Sequence, residues 1–117
     1  MEPKKSVESF FKMVLSGKIS EAYDQLLIGS MIPINKPQAV DVLKQQTLGG
    51  LPMYGNIFGV ELIVEEEFGE SIVRLVYALK SEFIPIFWEF YFYKPKTEWF
   101  LTNILFGEDV KMLNSMK

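Results

Sequence analysis

The chain has 117 residues, 49% of them apolar and 23% charged, with a formal net charge of -3. A single domain of this length buries roughly two thirds of the surface its unfolded chain would expose, so no metal or disulfide is needed to hold it. The longest acidic run is Glu65, Glu66 and Glu67, and with no basic stripe to set against it the chain has no electrostatic footprint for nucleic acid.

Cysteine and histidine are both absent. Thiolate catalysis, zinc-thiolate sites, disulfides and every scheme that uses imidazole as base or ligand are therefore excluded together. No catalytic residue, metal site or cofactor is expected. Charge or proline interrupts each apolar run well before the ~18 residues that would cross a bilayer, so no integral membrane segment is expected either. Residues 1–5 have no apolar signal core behind them, so the chain as given reads as cytoplasmic, or as extracytoplasmic if a leader has been trimmed from it.

In chain order, Val7, Phe10, Phe11, Val14 and Leu15 recur at helical spacing over residues 3–15 and predict an amphipathic helix. Gly17 is placed to end it in a left-handed C-cap, and Ser20 to cap the next one. Ile19, Ala22, Tyr23, Leu26 and Leu27 repeat the offsets in that second helix. Gly29, Ser30, Pro33 and Pro37 make 28–37 a connector. Asn35 and Gln38 then read as a capping box for a weakly amphipathic third helix over 36–48. Gly49, Gly50, Pro52 and Gly55, with Leu51, Met53 and Tyr54 interleaved, predict an apolar loop that folds back as a lid.

Residues 56–106 read as four strands. The first alternates Phe58, Val60, Leu62 and Val64 against Glu61, Ile63 and Glu65; the second alternates Val73, Leu75, Tyr77 and Leu79 against Arg74, Val76, Ala78 and Lys80. A tight hairpin at Gly69 sets Val64 opposite Leu75, Leu62 opposite Tyr77 and Glu65 opposite Arg74. A second hairpin turns at 94–97. It collects Trp88, Phe90, Phe92, Leu101, Asn103 and Leu105 on one face, and Phe87, Glu89, Tyr91, Tyr93, Phe100, Thr102, Ile104 and Phe106 on the other. The second of these faces is too apolar to be left in water, and its burial by a second copy across a two-fold axis is the economical expectation.

An amphipathic helix followed by Ser16, Gly17 and Lys18, then Glu21, Ala22, Tyr23 and Leu26, a proline-containing third helix, and a last hairpin with Lys96, Thr97, Glu98, Trp99, Phe100, Leu101, Thr102 and Asn103 resembles the NTF2-like superfamily of cystatin-like domains. The resemblance spans nearly the whole chain, as one domain over 1–117. It implies an α+β fold with the N-terminal helices packed on the concave face of a curved antiparallel sheet, an apolar pocket in the resulting cone, and dimerisation through the outer sheet face. It also implies a non-catalytic domain that binds a small hydrophobic ligand or a protein partner. The alternatives are a small isomerase- or dehydratase-like enzyme with a carboxylate base, such as Asp24, and a tyrosine donor, or an accessory domain of a bacterial cell-envelope protein. No motif of an enzymatic branch transfers residue by residue.

Position in that cone makes Tyr23, Tyr54, Tyr77, Trp88 and Asn103 the pocket candidates, each also readable as ordinary packing. Ile63, Val76, Tyr91, Tyr93, Phe100 and Ile104 are the dimer-interface candidates. Glu61, Glu65, Arg74 and Glu89 form a polar cluster expected to be a solvated or interface cross-strand pairing. The apolar window 83–88 is expected to be strand entry or dimer contact, with a ligand or membrane-surface contact as the third reading. The tail residues Met112, Leu113 and Met116 either dock as a short last segment or fray.

Overall fold

The computed structural model describes residues 2–108; Met112, Leu113 and Met116 lie outside the described residues. Four helices come first, α1 (Pro3–Leu15), α2 (Ile19–Leu26), α3 (Ile32–Asn35) and α4 (Pro37–Gly50). Four strands follow, β1 (Ile57–Phe68), β2 (Ile72–Ser81), β3 (Pro85–Tyr93) and β4 (Phe100–Gly107). The sheet is antiparallel in the order β1-β2-β3-β4. This is an α+β domain, and the helices cover one face of its sheet.

The sheet is open and flat, with β1 and β4 as its two edges. It neither closes nor curls, which overturns the expected concave sheet, the cone and with them the NTF2-like and cystatin-like assignment. Helix-then-meander order, an apolar first helix and a tryptophan near the last strand are compatible with many two-layer packings. Curl is a property of how strands twist against one another, and loose motifs do not encode it.

The helical stripes pack as their spacing requires. Val7, Phe10, Phe11 and Val14 of α1 and Ile19, Ala22, Tyr23 and Leu26 of α2 are buried in one core with Leu75, Leu79, Ile86, Trp88, Phe90, Phe92 and Leu101. Phe10 meets Tyr23 edge-on at 4.9 Å, and Phe11 meets Trp88 edge-on at 5.3 Å, the geometry aromatic quadrupoles favour. Gly17 takes φ 84°, a left-handed conformation open to glycine without a Cβ clash. The expected caps differ. Helix α2 begins one residue before Ser20, with Lys18 at its N-cap, and α4 begins with Pro37 behind Lys36; neither has a side-chain cap. The expected connector contains the short α3, and the lid is a single 3-10 turn, Leu51–Tyr54, continuous with α4.

The β1–β2 hairpin contains two register shifts, one between Ile57 and Gly59 and one between Leu62 and Val64, and the β3–β4 hairpin contains one; the second of β1 and that of β4 move side chains between faces relative to the expected pairing. In β1 the expected pairing holds at Leu62 with Tyr77, but beyond a bulge at Ile63 the partners become Val64 with Val76, Glu65 with Leu75 and Glu66 with Arg74. An extra residue in one strand reverses the facing of everything past it. Val64 and Phe68 thus leave the helix side, and Glu65 and Glu67 enter it. In β4 the expected pairing holds for Leu101 with Phe92, then shifts around Thr102 so that Asn103 meets Tyr91 and Ile104 meets Phe90. Ile104 and Phe106 consequently join the core side, while Asn103 and Leu105 turn outward.

Candidate functional site

The five pocket candidates do not share one cavity, although Tyr23 and Trp88 meet inside the core. Tyr23 and Trp88 are fully buried and satisfied inside the core: the Tyr23 hydroxyl is 2.7 Å from Thr47 Oγ1, and Trp88 Nε1 donates to Tyr23 Oη at 3.4 Å. Thr47 in turn donates to the Leu43 carbonyl at 2.7 Å, which ties α2, α4 and β3 together. Burial raises the Tyr23 phenol above its ordinary range, opposed by the bonds from Thr47 and Trp88. Asp24, one position along α2, points to the surface and bonds Lys44 at 2.6 Å.

Tyr54 lies half-buried against the core, where its hydroxyl donates to Glu108 at 2.7 Å, and Asn103 is exposed on the outer face. Tyr77 is different. Its ring lies in the core, 5% exposed, and its hydroxyl is buried without a hydrogen-bond partner among the described residues. Burial, then the charges of Glu8 and Glu65, push its pKa up to about 12.

The interface candidates divide as well. Val76, at 0% exposure, has no surface left to offer a second chain, and Ile104 faces the helices. Ile63 is exposed at its bulge, Tyr93 is exposed, and Tyr91 and Phe100 are half-buried. In the window 83–88, Ile86 and Trp88 enter the core as strand residues, while Phe83 at the corner is exposed.

Two features of the outer face escaped the sequence. The first is a row across all four strands, Phe68 with Ile72, Ile72 with Tyr93 and Tyr93 with Phe100. It borders a concavity of about 730 Å³ that Leu105 and Asn103 also line. The alternation signal existed, but only the Ile63 bulge delivers Phe68 to this side.

The second is the ionic cluster. Arg74 is 2% exposed and Glu89 1%, so the pairing is buried rather than solvated. Arg74 Nε donates to Glu89, and Nη1 donates to Glu66 at 2.6 Å. Glu65, the expected partner, instead meets Lys4 of α1 at 3.3 Å on the helix side. Burial opposes the Arg74 charge, but the two carboxylates outweigh it and hold the guanidinium protonated above its ordinary range. Tyr91 Oη donates to Glu89 at 3.4 Å, and burial followed by the Glu89 charge raises that phenol.

Among the described residues no group of acidic side chains is arranged to hold a metal ion, and no helix is long and apolar enough to cross a membrane. The expected ligand- or partner-binding function of an NTF2-like cone loses its basis with the cone, and among the described residues no catalytic cluster takes its place. Set against family models, curated proteins and solved structures, the chain matches none of them.

Proposed function

We propose that this chain is a self-associating module that pairs with a second copy through the outer face of its sheet. The observation that carries this reading is the register row Phe68, Ile72, Tyr93 and Phe100, apolar across all four strands, with the first three exposed. Four strands at about 4.8 Å spacing give a strip roughly 14 Å wide. Such a strip is costly to leave in water and suits a two-fold contact.

The strip itself carries no charge, which suits a second copy better than a strongly charged partner. The neighbouring row pairs Glu66, Arg74 and Tyr91, and its ions bond one another within the chain. Arg74 offsets one of the two carboxylates, so this row and Glu89 together set a single negative charge, held in hydrogen bonds within the chain, beside the strip.

Sedimentation velocity at micromolar concentration tests the proposal. The wild-type chain is expected to run as a dimer, and the double variant Ile72→Glu with Tyr93→Glu as a monomer with an unchanged far-ultraviolet spectrum. A monomeric wild type, or a dimer that survives both substitutions, would rule the outer face out.

A further inference from the structure

At the end of the molecule where β3 turns back into β4, the helix side carries a hollow of about 620 Å³. Three elements build it: Ser6 of α1, Gln25 in the last turn of α2, and the connection 95–99 between the strands. Ile28, Pro95 and Trp99 give it apolar walls, with Phe92 of the core beneath. The connection is anchored. Lys94 donates its backbone N–H to the Ser71 carbonyl at 2.8 Å, and its Nζ sits 5.0 Å from the centre of the half-buried Trp99 ring. A wall fixed in advance lowers the ordering cost of binding.

The polar groups around this hollow are uncommitted. Among the described residues the side chains of Ser6, Gln25, Lys96, Thr97 and Glu98 make no hydrogen bond or ion pair. Lys4 with Glu65 and Lys44 with Asp24, by contrast, are bonded pairs. Lys96 and Glu98 balance in charge, and the hydroxyls and the amide beside them both donate and accept. An anion entering here would meet Glu98, and a cation Lys96. A purely apolar molecule would take water from the polar groups and return no hydrogen bond. A zwitterion would use the two charges and leave Ser6, Gln25 and Thr97 unbonded. A neutral ring with apolar C–H faces and a rim of hydroxyls matches both the walls and the polar groups.

We propose that this hollow binds a neutral saccharide, its ring packed against Ile28, Pro95 and Trp99 and its hydroxyls bonded to Gln25, Lys96, Thr97 and Glu98. The walls supply contact area and the polar side chains fix orientation, the usual division of labour in small-molecule sites. Of the lining residues only Phe100 also belongs to the outer strip, so failure of one proposal leaves the other standing.

NMR titration with glucose, galactose, cellobiose and maltose at millimolar concentration tests it. At least one of these sugars is expected to shift the Trp99 indole N–H and the backbone amides of Gly29 and Thr97 saturably. The Trp88 indole, bonded to Tyr23 inside the core, should not move. Glycerol, which has hydroxyls but no ring face, and phenylalanine, a zwitterion with an apolar ring, should both bind more weakly than that sugar. Gln25→Ala and Thr97→Ala, both at exposed positions, should each weaken the sugar about fivefold, equivalent to about 1 kcal/mol. Absence of saturable shifts with every one of the sugars, unchanged affinity in both variants, or tighter binding of glycerol or phenylalanine would each overturn the assignment.

Discussion

The two faces of this sheet are built from the same alternating strands and hold together by different physics. The helix side is an aromatic core in which Phe10, Phe11, Tyr77, Trp88 and Phe90 meet edge-on, and its polar atoms are few. The outer side buries Arg74 between Glu89 and Glu66 and leaves an apolar strip beside it. Apolar burial tolerates small misplacements, because dispersion and exclusion of water are not directional. A buried ion pair does not, since its stability depends on geometry that recovers a large desolvation cost.

Truncation on the helix side should have the largest effect. Trp88→Ala removes a fully buried ring packed on Phe10, Phe11 and Phe106 and should cost about 4 kcal/mol, read from chemical denaturation. Next comes the outer ion pair. Glu89→Ala removes the fully buried carboxylate of the pair, leaves Arg74 to the half-exposed Glu66, and should cost about 3 kcal/mol, whereas Arg74→Met combined with Glu89→Leu should be near neutral. A double variant as unstable as the single one would mean that packing, not charge, holds the outer face.

Tyr77 links the helix side to pH. Its folded pKa of about 12 lies above the ordinary phenol value of 10.0, so the folded state holds its proton more tightly. This contribution is fully present below pH 10 and is lost as pH rises through the folded value. Wild-type stability should accordingly fall by about 2 kcal/mol between pH 10 and 12, and Tyr77→Phe should lose that much less, measured by denaturation at each pH.

Smaller effects sharpen the contrast. Tyr23→Phe removes the hydroxyl shared with Thr47 and Trp88, but Thr47 keeps the Leu43 carbonyl, so the loss should be about 1 kcal/mol. Lys4→Ala breaks a half-exposed pair with Glu65 and should change stability by no more than about 0.5 kcal/mol, abolished by salt. A larger salt-sensitive loss would show that α1 docking depends on that charge.

Helix positions were legible because their signal is local. Val7, Phe10, Phe11 and Val14 recur at 3.6-residue spacing whatever the helix packs against, and each is buried. The strand order and the Leu62 with Tyr77 pairing were legible for the same reason. What failed lies beyond two single-residue insertions. Ile63 and Thr102 each look like any other strand residue, yet each reverses the facing of the chain that follows, and so misplaced Glu65, Asn103 and Ile104 together. The cap assignments failed because prolines and tertiary packing set the helix starts in place of Ser20 and Asn35.

By itself the amino-acid order determined an α+β chain with two amphipathic helices followed by four antiparallel strands, and it excluded imidazole and thiol chemistry, because periodicity and composition are properties of neighbouring residues. Only the tertiary structure decided that the sheet stays open, that Arg74 is buried with Glu89 and Glu66, and that the Tyr77 hydroxyl has no partner among the described residues. Those features depend on register and on which surfaces meet across the fold. One inserted strand residue changes them without leaving any trace in local pattern.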